Sequence, residues 1–163
     1  MDPLKRLFIS NCVVACNLAD HPYPEMAACE AALESRYGES LLALRANNLF
    51  GMKQHSHPIF GTLNLPTREF KGGAWIVIDA NFVEYPGVSD CFKDRLATLT
   101  RLSQAVNPNT GQLEFPHYKN ALAASDPETF VREVSQTWST DPDRAEHIIQ
   151  IYNDYMAALA QQA

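Results

Sequence analysis

The chain has 163 residues, of which 46% are hydrophobic and 20% charged, a composition typical of one globular domain that buries its core without a metal or a disulfide. Nineteen acidic residues against thirteen basic ones give a formal net charge of −6, which opposes binding to nucleic acid. No apolar run approaches the roughly 20 residues that span a bilayer, so membrane insertion is not expected.

Two helices are predicted at the start of the chain. Apolar residues recur at helical spacing from Leu4 to Leu18, which predicts a helix from Pro3 to about Ala19 rather than a signal peptide. A second helix is predicted from Pro24 to just before Gly38, its expected C-cap. Glu34 then lies in the last turn of that helix.

The next segments predict a short helix and a β lobe. The helix runs from Ser40 to Ala46 and leads into Asn47-Asn48-Leu49-Phe50-Gly51, where two amides that can recognise polar ligands precede an aromatic residue and a glycine. Residues 60–85 are rich in strand formers and contain a tight-turn signal, Lys71-Gly72-Gly73. We therefore expect a small antiparallel β-hairpin lobe at about 60–85.

The C-terminal half is predicted to be helical. Ser89 is expected to cap a helix, and residues 107–111 form a loop signal. Asp126-Pro127 and Asp141-Pro142 each predict a cap followed by proline at the first helical position, and the last helix carries an apolar stripe from Ala145 to Leu159. The expected class is α+β, mainly α, as one domain over residues 1–163.

The four cysteines indicate a core role. Cys12, Cys16, Cys29 and Cys91 lack CxxC spacing, and the first two lie one helical turn apart. Buried, reduced cysteines pack as small hydrophobic residues, and we expect that here, with a disulfide left open.

Glu34 is the first candidate for chemistry. Cleavage of a glycosidic bond requires a protonated acid beside the leaving oxygen and usually a second carboxylate across the sugar. A carboxylate at a helix C-terminus faces the negative end of the helix dipole, which favours its protonated form. This pattern alone leaves open a solvated surface glutamate.

Four segments in order resemble one enzyme family. They are EAALESRYGES (residues 30–40), ANNLFGMK (46–53), FVEYP (82–86) and WSTDPDRA (138–145). The first two are similar to ALESGWGKS and NNLFGIK, and the last to YATDPNYA, in the bacterial N-acetylglucosaminidases of glycoside hydrolase family 73. This family includes the peptidoglycan-cutting domain of the flagellar rod-cap protein.

The resemblance implies a lysozyme-like fold, peptidoglycan as substrate and Glu34 as general acid. Lysozyme-type sites keep such an acid protonated mainly by apolar surroundings, and Tyr37 and Phe50 are expected to form that apolar wall. The candidates for contacting the glycan are Tyr37, Asn47, Asn48, Phe50, Tyr118 and Trp138.

The second carboxylate is expected on the β lobe. The segment TREFKGG at residues 67–73 resembles the family's T-x-E-x-x-x-G hairpin, which makes Glu69 the candidate. Asp79 and Glu84 are alternatives whose ordinary reading is that of solvated strand residues.

The chain departs from the family pattern at two places. Trp138 replaces a tyrosine, which keeps an aromatic ring but removes a hydroxyl thought to orient the sugar's N-acetyl group or the water. Arg36-Tyr37 replaces Gly-Trp and adds a cation near Glu34, which favours the ionised carboxylate.

Other reaction classes find little support. His55-Ser56-His57 could bind zinc, but no third ligand stands at a recognisable spacing, so neither a metal nor another cofactor is expected. The serines show no triad signature.

The expected function is hydrolysis of the β-1,4 bond between N-acetylglucosamine and N-acetylmuramic acid. The alternatives are a lytic transglycosylase or muramidase on the same fold, and a noncatalytic glycan-binding or assembly module. Peptidoglycan glycan strands are the expected partner, and the site of action is the periplasm or cell wall. Without a visible signal peptide, delivery is expected through a secretion machine or holin-assisted lysis, or from a longer protein. An immunity protein is a further candidate partner.

Overall fold

The computed structural model describes residues 1–56, 58–71 and 74–161, without the side chains of residues 68–71 and 75. No helix in these ranges is both long enough and apolar enough to cross a bilayer. In chain order the elements are α1 (Pro3–Asn17), α2 (Pro24–Ser35), α3 (Leu41–Ala46), β1 (Gly61–Lys71), β2 (Ala74–Glu84), α4 (Val88–Ser103), α5 (Pro116–Leu122), α6 (Pro127–Trp138) and α7 (Arg144–Ala160).

Helix α2 is the centre of the helical part. Its run Met26–Ala32 is buried on every side, because small side chains let α1 and α7 pack closely against it. All four cysteines are buried and none forms a disulfide, as predicted. Burial raises the pKa of the Cys12 and Cys29 thiols to about 12.

Caps explain where several helices begin. The Asp126 side chain accepts a hydrogen bond from the Thr129 amide at 2.8 Å and starts α6, which confirms that prediction. The Asp141 prediction is wrong: its side chain accepts from the Asp143 amide at 3.0 Å in a local turn, and α7 starts only at Arg144.

Two other predictions about the helices need correction. Ser89 lies inside α4, whose N-cap is Gly87, and helix α5 was not predicted. In α7 the apolar stripe is buried at Ile148, Ile149 and Tyr155, whereas its C-terminal members Met156 and Leu159 are 39% and 37% exposed.

The end of α2 turns sharply. The C-cap is Arg36, not Gly38, and Arg36, Tyr37 and Gly38 have φ of 55°, 56° and 82°. A Cβ on Gly38 would come within 2.7 Å of the Phe8 ring, so glycine is required there by space as well as by conformation. This left-handed run carries the chain out of α2 directly beside Glu34.

Strands β1 and β2 form the predicted antiparallel hairpin, with Gly61 opposite Glu84 and Lys71 opposite Ala74. Gly72 and Gly73, the predicted turn, lie outside the described residues. The hairpin is joined to the helical part at its base, where the Val83 amide donates to the Met52 carbonyl at 3.0 Å and the Tyr85 amide to the Ala46 carbonyl at 2.9 Å.

Candidate active site

A groove of about 540 Å³ lies between the end of α2, the start of α3 and the hairpin. Its lining is formed by Glu34, Arg36, Glu39, Ser40, Leu41, Leu42, Asn48, Leu49, Phe50, Gly51, Leu65, Pro66, Thr67 and Phe82. The hairpin and the helical part thus provide opposite walls, an arrangement that suits an extended ligand.

Glu34 enters this groove from the last turn of α2. Its side chain is 25% exposed, and its Oε1 accepts a hydrogen bond from Arg144 Nε at 2.7 Å. Its Oε2 has no hydrogen-bond partner among the described residues. One carboxylate oxygen is therefore fixed by a cation while the other remains open to a ligand.

Behind Glu34 lies a buried charge network. Glu30, one helical turn earlier, is 1% exposed, and its Oε1 accepts from Nη2 of both Arg95 and Arg144. Burial opposes the ionised form of Glu30, but the two guanidinium groups outweigh it and hold its pKa below the usual range. Two carboxylates and two guanidinium groups balance, so the network has no net charge.

Each arginine of the network has further contacts. Arg144 Nη1 donates to the Ser135 hydroxyl at 2.8 Å. The Arg95 guanidinium lies 4.8 Å from the centre of the Phe50 ring and 3.8 Å from that of Trp138, within reach of cation–π attraction. Its Nε and Nη1 have no hydrogen-bond partner in the described part of the chain.

The structure therefore differs from the expected apolar surroundings of Glu34. Phe50 does line the groove and packs on Phe92 with ring centres 5.4 Å apart. Tyr37 does not, because the left-handed turn at the end of α2 directs it towards α1, where it packs on Phe8 and under Lys5 Nζ. The group in contact with the Glu34 carboxylate is the guanidinium of Arg144, not an apolar side chain.

The side-chain amides of Asn47 and Asn48 form hydrogen bonds with backbone groups of the protein. The buried Asn48 side chain donates to the Met52 and Val83 carbonyls at 2.9 Å each and accepts from the Met52 amide at 2.9 Å. Asn47 caps α3 and donates to the Tyr85 carbonyl at 3.0 Å. Both side chains therefore hold the base of the hairpin.

The two remaining aromatic candidates lie off the groove lining. Tyr118 is buried and its hydroxyl accepts from Thr137 at 2.9 Å. Trp138 ends α6 and covers Arg95, so it acts on the buried charges rather than presenting a free platform to a sugar.

The candidates for the second carboxylate differ in strand register. Glu69 lies opposite Ile76 and has the same parity along β1 as Leu65 and Thr67, which line the groove, but its side chain is outside the described part. Asp79 pairs with Pro66, which has the opposite parity along β1 but also lines the groove. Glu84, at the hairpin base, lies over Gly61.

A metal site finds no support in the described residues, where no group of three His, Cys, Asp or Glu side chains is arranged to hold an ion. His57, half of the candidate pair with His55, lies outside these residues.

Sequence reasoning missed the members of the network other than Glu34. Glu30 reads as an ordinary helix glutamate, and Arg95 as one of many charged residues in α4. A signal existed at Arg144, which stands where the motif YATDPNYA has its second tyrosine. A charged residue in place of an aromatic one within an otherwise matching motif indicates a partner of opposite charge.

Comparison with known proteins identifies the family. The sequence model of the family described as Glucosaminidase, mannosyl-glycoprotein endo-beta-N-acetylglucosaminidase, matches residues 14–157. The chain belongs to the glucosaminidase family. Its similarity to the family 73 enzymes, expected from the four motifs, is confirmed.

Two curated relatives are each similar to this chain over less than half of their own length. The glucosaminidase-family chain is 31% identical over 136 residues to the exo-glucosaminidase LytG of Bacillus subtilis, covering 83% of this chain and 45% of LytG. It is 29% identical over 128 residues to the peptidoglycan hydrolase FlgJ of Pseudomonas aeruginosa, covering 75% of this chain and 29% of FlgJ. The chain thus spans less than half the length of either relative.

Solved structures share the fold of this glucosaminidase-family chain. The catalytic domain of the autolysin Auto from Listeria monocytogenes superposes with a TM-score of 0.75 at 24% identity, covering 96% of this chain and 86% of that one. The glycoside hydrolase domain of FlgJ from Salmonella typhimurium gives a TM-score of 0.69 at 22% identity, covering 99% and 92%. The predicted α+β, mainly helical, lysozyme-like fold is confirmed.

Proposed function

We propose that this chain is a peptidoglycan hydrolase domain, one unit over residues 1–163, that cleaves the β-1,4 bond between N-acetylglucosamine and N-acetylmuramic acid. The observation that carries the proposal is the position of Glu34, half-buried in a groove between the hairpin and the helices. Membership of the glucosaminidase family and similarity to the exo-glucosaminidase LytG and the peptidoglycan hydrolase FlgJ support the reaction and substrate class.

Glu34 is the proposed general acid. Arg144 holds Oε1, so Oε2 is the oxygen that can carry the proton and pass it to the leaving oxygen of the substrate. Arg144 itself is fixed by Glu30 and Ser135, which gives the donor a rigid orientation.

Glu69 is the proposed second carboxylate. Its place on β1 supports it, since Leu65, Pro66 and Thr67, which precede it on this strand, line the groove. An inverting enzyme places this group across the sugar, where it removes a proton from the attacking water.

Replacing each of the two glutamates by glutamine tests both roles. Glu34→Gln should lose roughly 10²- to 10⁴-fold in dye release from labelled cell walls, because an amide cannot donate the proton. Glu69→Gln should be nearly as inactive, and azide should rescue Glu69→Ala with inverted sugar configuration. Glu39→Gln is the matched control, since Glu39 lines the same groove but is exposed, and should change the rate at most a few-fold.

Two results would contradict these roles. If Glu34→Gln, with an unchanged melting curve, released dye like the wild type, Glu34 would not be the acid. If NMR of the first product showed the retained β-anomer and Glu69→Gln kept substantial activity, the N-acetyl group of the substrate would be the nucleophile. Analysis of reducing ends and of anhydro-sugar products separates the hydrolase from a muramidase or lytic transglycosylase.

One observation favours a second candidate, a noncatalytic glycan-binding or assembly module. Arg144 Nε donates to Oε1 of Glu34 at 2.7 Å, so one of the two carboxylate oxygens is already bound within the protein and only the other can meet a substrate. In such a module Glu34→Gln and the wild type would be equally inactive and would sediment equally with cell walls.

The proposed substrate places the site of action in the periplasm or cell wall. A secretion machine, a holin or an immunity protein remains a proposed partner. Co-purification from the native host would identify which of them accompanies the chain.

A further inference from the structure

Arg36 occupies a backbone conformation that arginine disfavours. It has φ 55° and ψ 50°, the left-handed region in which a Cβ clashes with the backbone and glycine is the usual choice. The motif ALESGWGKS has glycine at this position. A side chain kept at a strained position next to a reactive group indicates a role for that side chain.

The Arg36 side chain stands on a ridge between two hollows. It lines the groove that holds Glu34, and it also lines a second hollow of about 610 Å³ on the α1 side. Lys5 and Tyr37 lie in the second hollow, with Lys5 Nζ 4.7 Å from the centre of the Tyr37 ring. Arg36 is exposed and forms no ion pair with any described residue.

The proposed reaction determines which part of the substrate lies here. The acid protonates the oxygen of the leaving sugar, and for the proposed bond that sugar is N-acetylmuramic acid. This is the sugar that carries the peptide stem, whose residues include free carboxylates. Arg36 is two positions from Glu34 and lines the same groove, so we expect the stem of that sugar to leave the groove beside it.

We propose that Arg36 binds a carboxylate of this peptide stem and that the second hollow receives the stem. The inference rests on the proposed function. Guanidinium and carboxylate groups match in geometry and charge, and Tyr37 gives the hollow an aromatic wall. The second hollow is lined by two cations, Lys5 and Arg36, and by two carboxylates, Asp2 and Glu39, and of the two cations only Arg36 also lines the groove.

The test compares two substrates. One is peptidoglycan strands with intact stems, and the other is the same strands stripped of peptide by an amidase. For Arg36→Gln and Arg36→Gly, the ratio of kcat/KM on intact strands to kcat/KM on stripped strands should fall about two- to fivefold, as expected for a partly exposed ion pair. The fall should shrink at high salt. Arg45→Gln, which removes an exposed arginine of α3 outside both hollows, should leave the ratio unchanged.

Stability provides a second readout. Arg36→Gly removes the strain, so it should melt at the same or a higher temperature while losing the preference for intact strands. A residue with a merely structural role would lose stability and activity together. The inference is overturned if the ratio is unchanged in both Arg36 variants, whether kcat/KM stays the same or falls equally on the two substrates.

Binding separates this inference from the proposed function. If the wild type cleaves neither substrate, the hydrolase proposal fails, but co-sedimentation with the two kinds of strand still decides the role of Arg36. A wild-type preference for intact strands that Arg36→Gln abolishes supports the inference. Equal sedimentation of both proteins with both strands overturns it.

Discussion

His21 is buried in the turn between α1 and α2, and its ring centre lies 5.4 Å from that of Phe130 with the two rings nearly perpendicular. Its Nδ1 accepts a hydrogen bond from the Tyr23 amide at 3.1 Å, and its Nε2 has no partner among the described residues. Burial first, and then the Arg95 charge, lower the pKa of His21 from 6.5 to about 4. The residue is therefore held neutral in the folded protein.

We expect His21 to make stability depend on pH between 6.5 and about 4. Its stabilising effect is complete above pH 6.5 and is lost as the pH falls through this window, because the unfolded chain takes up the proton first. Over this window the loss amounts to roughly 3 kcal/mol. His21→Asn, which keeps an acceptor for the Tyr23 amide but does not titrate, should show a shallower loss in urea unfolding at pH 7, 5.5 and 4.

A stability difference between His21→Asn and the wild type that stayed constant over these pH values would contradict the prediction. Other groups also make the stability depend on pH, among them Glu30, whose pKa is lowered in the folded protein. Their effect is the same in both proteins and cancels when the two stabilities are subtracted.

At the scale of elements, the main feature is the way in which the hairpin is attached to the helices. Asn48 makes three hydrogen bonds that connect the segment after α3 with the base of β2. The side-chain amides of the NNLFG segment thus belong to the base of the hairpin. The amide group can donate two hydrogen bonds and accept one at the same time, whereas an apolar side chain of similar size can make none of them.

Asn48→Ala should lower the stability by roughly 3 kcal/mol, because it leaves buried backbone groups at Met52 and Val83 without partners. This corresponds to a fall in Tm of about 10 °C for a chain of this size. Asn64→Ala is the matched control: Asn64 is an exposed β1 residue whose side chain donates to Asn81 at 2.8 Å, and its replacement should hardly change Tm.

If Asn48→Ala melts like the wild type but no longer binds glycan strands, Asn48 contacts the ligand and does not stabilise the hairpin base. Differential scanning calorimetry and wall co-sedimentation on the same samples distinguish the two.

Periodicity and caps predicted most elements, because helix starts such as Asp126-Pro127 and the strand-rich run at 60–85 depend on local chemistry. The helix that was missed, α5, is only seven residues long and carries too few turns for a periodic signal. The start of α7 was misplaced because Asp141 satisfies a turn as readily as a helix end. Glu34 and the groove followed from motifs, whereas the direction of Tyr37 depends on left-handed dihedrals that no pattern encodes.

At the scale of the molecule, one network joins the two ends of the chain. Glu30 and Glu34 come from α2, Arg95 from α4 and Arg144 from the start of α7. The network could not be read from the sequence, because its members are as many as 114 positions apart and pair only once the helices have packed.

Removing the central carboxylate should be severe. Glu30→Gln leaves Arg95 and Arg144 buried with one compensating charge fewer, and should cost about 3–5 kcal/mol in urea unfolding. Glu30→Gln combined with Arg95→Gln should be less damaging than the sum of the two single changes, since the double variant restores the charge balance.

The exposed pair of Arg132 and Glu146 supplies the control, and Arg132→Gln should leave the urea midpoint nearly unchanged. Strict additivity of Glu30→Gln and Arg95→Gln would show that the two residues do not interact.

The burial of the four cysteines has a consequence for where the folded chain can exist. Only the thiolate attacks oxidants and disulfides, and burial raises the pKa of Cys12, Cys29 and Cys91 to about 12, so these thiols stay protonated at neutral pH. The folded chain is therefore nearly inert to thiol exchange. It can pass from a reducing compartment to an oxidising one with its covalent structure unchanged.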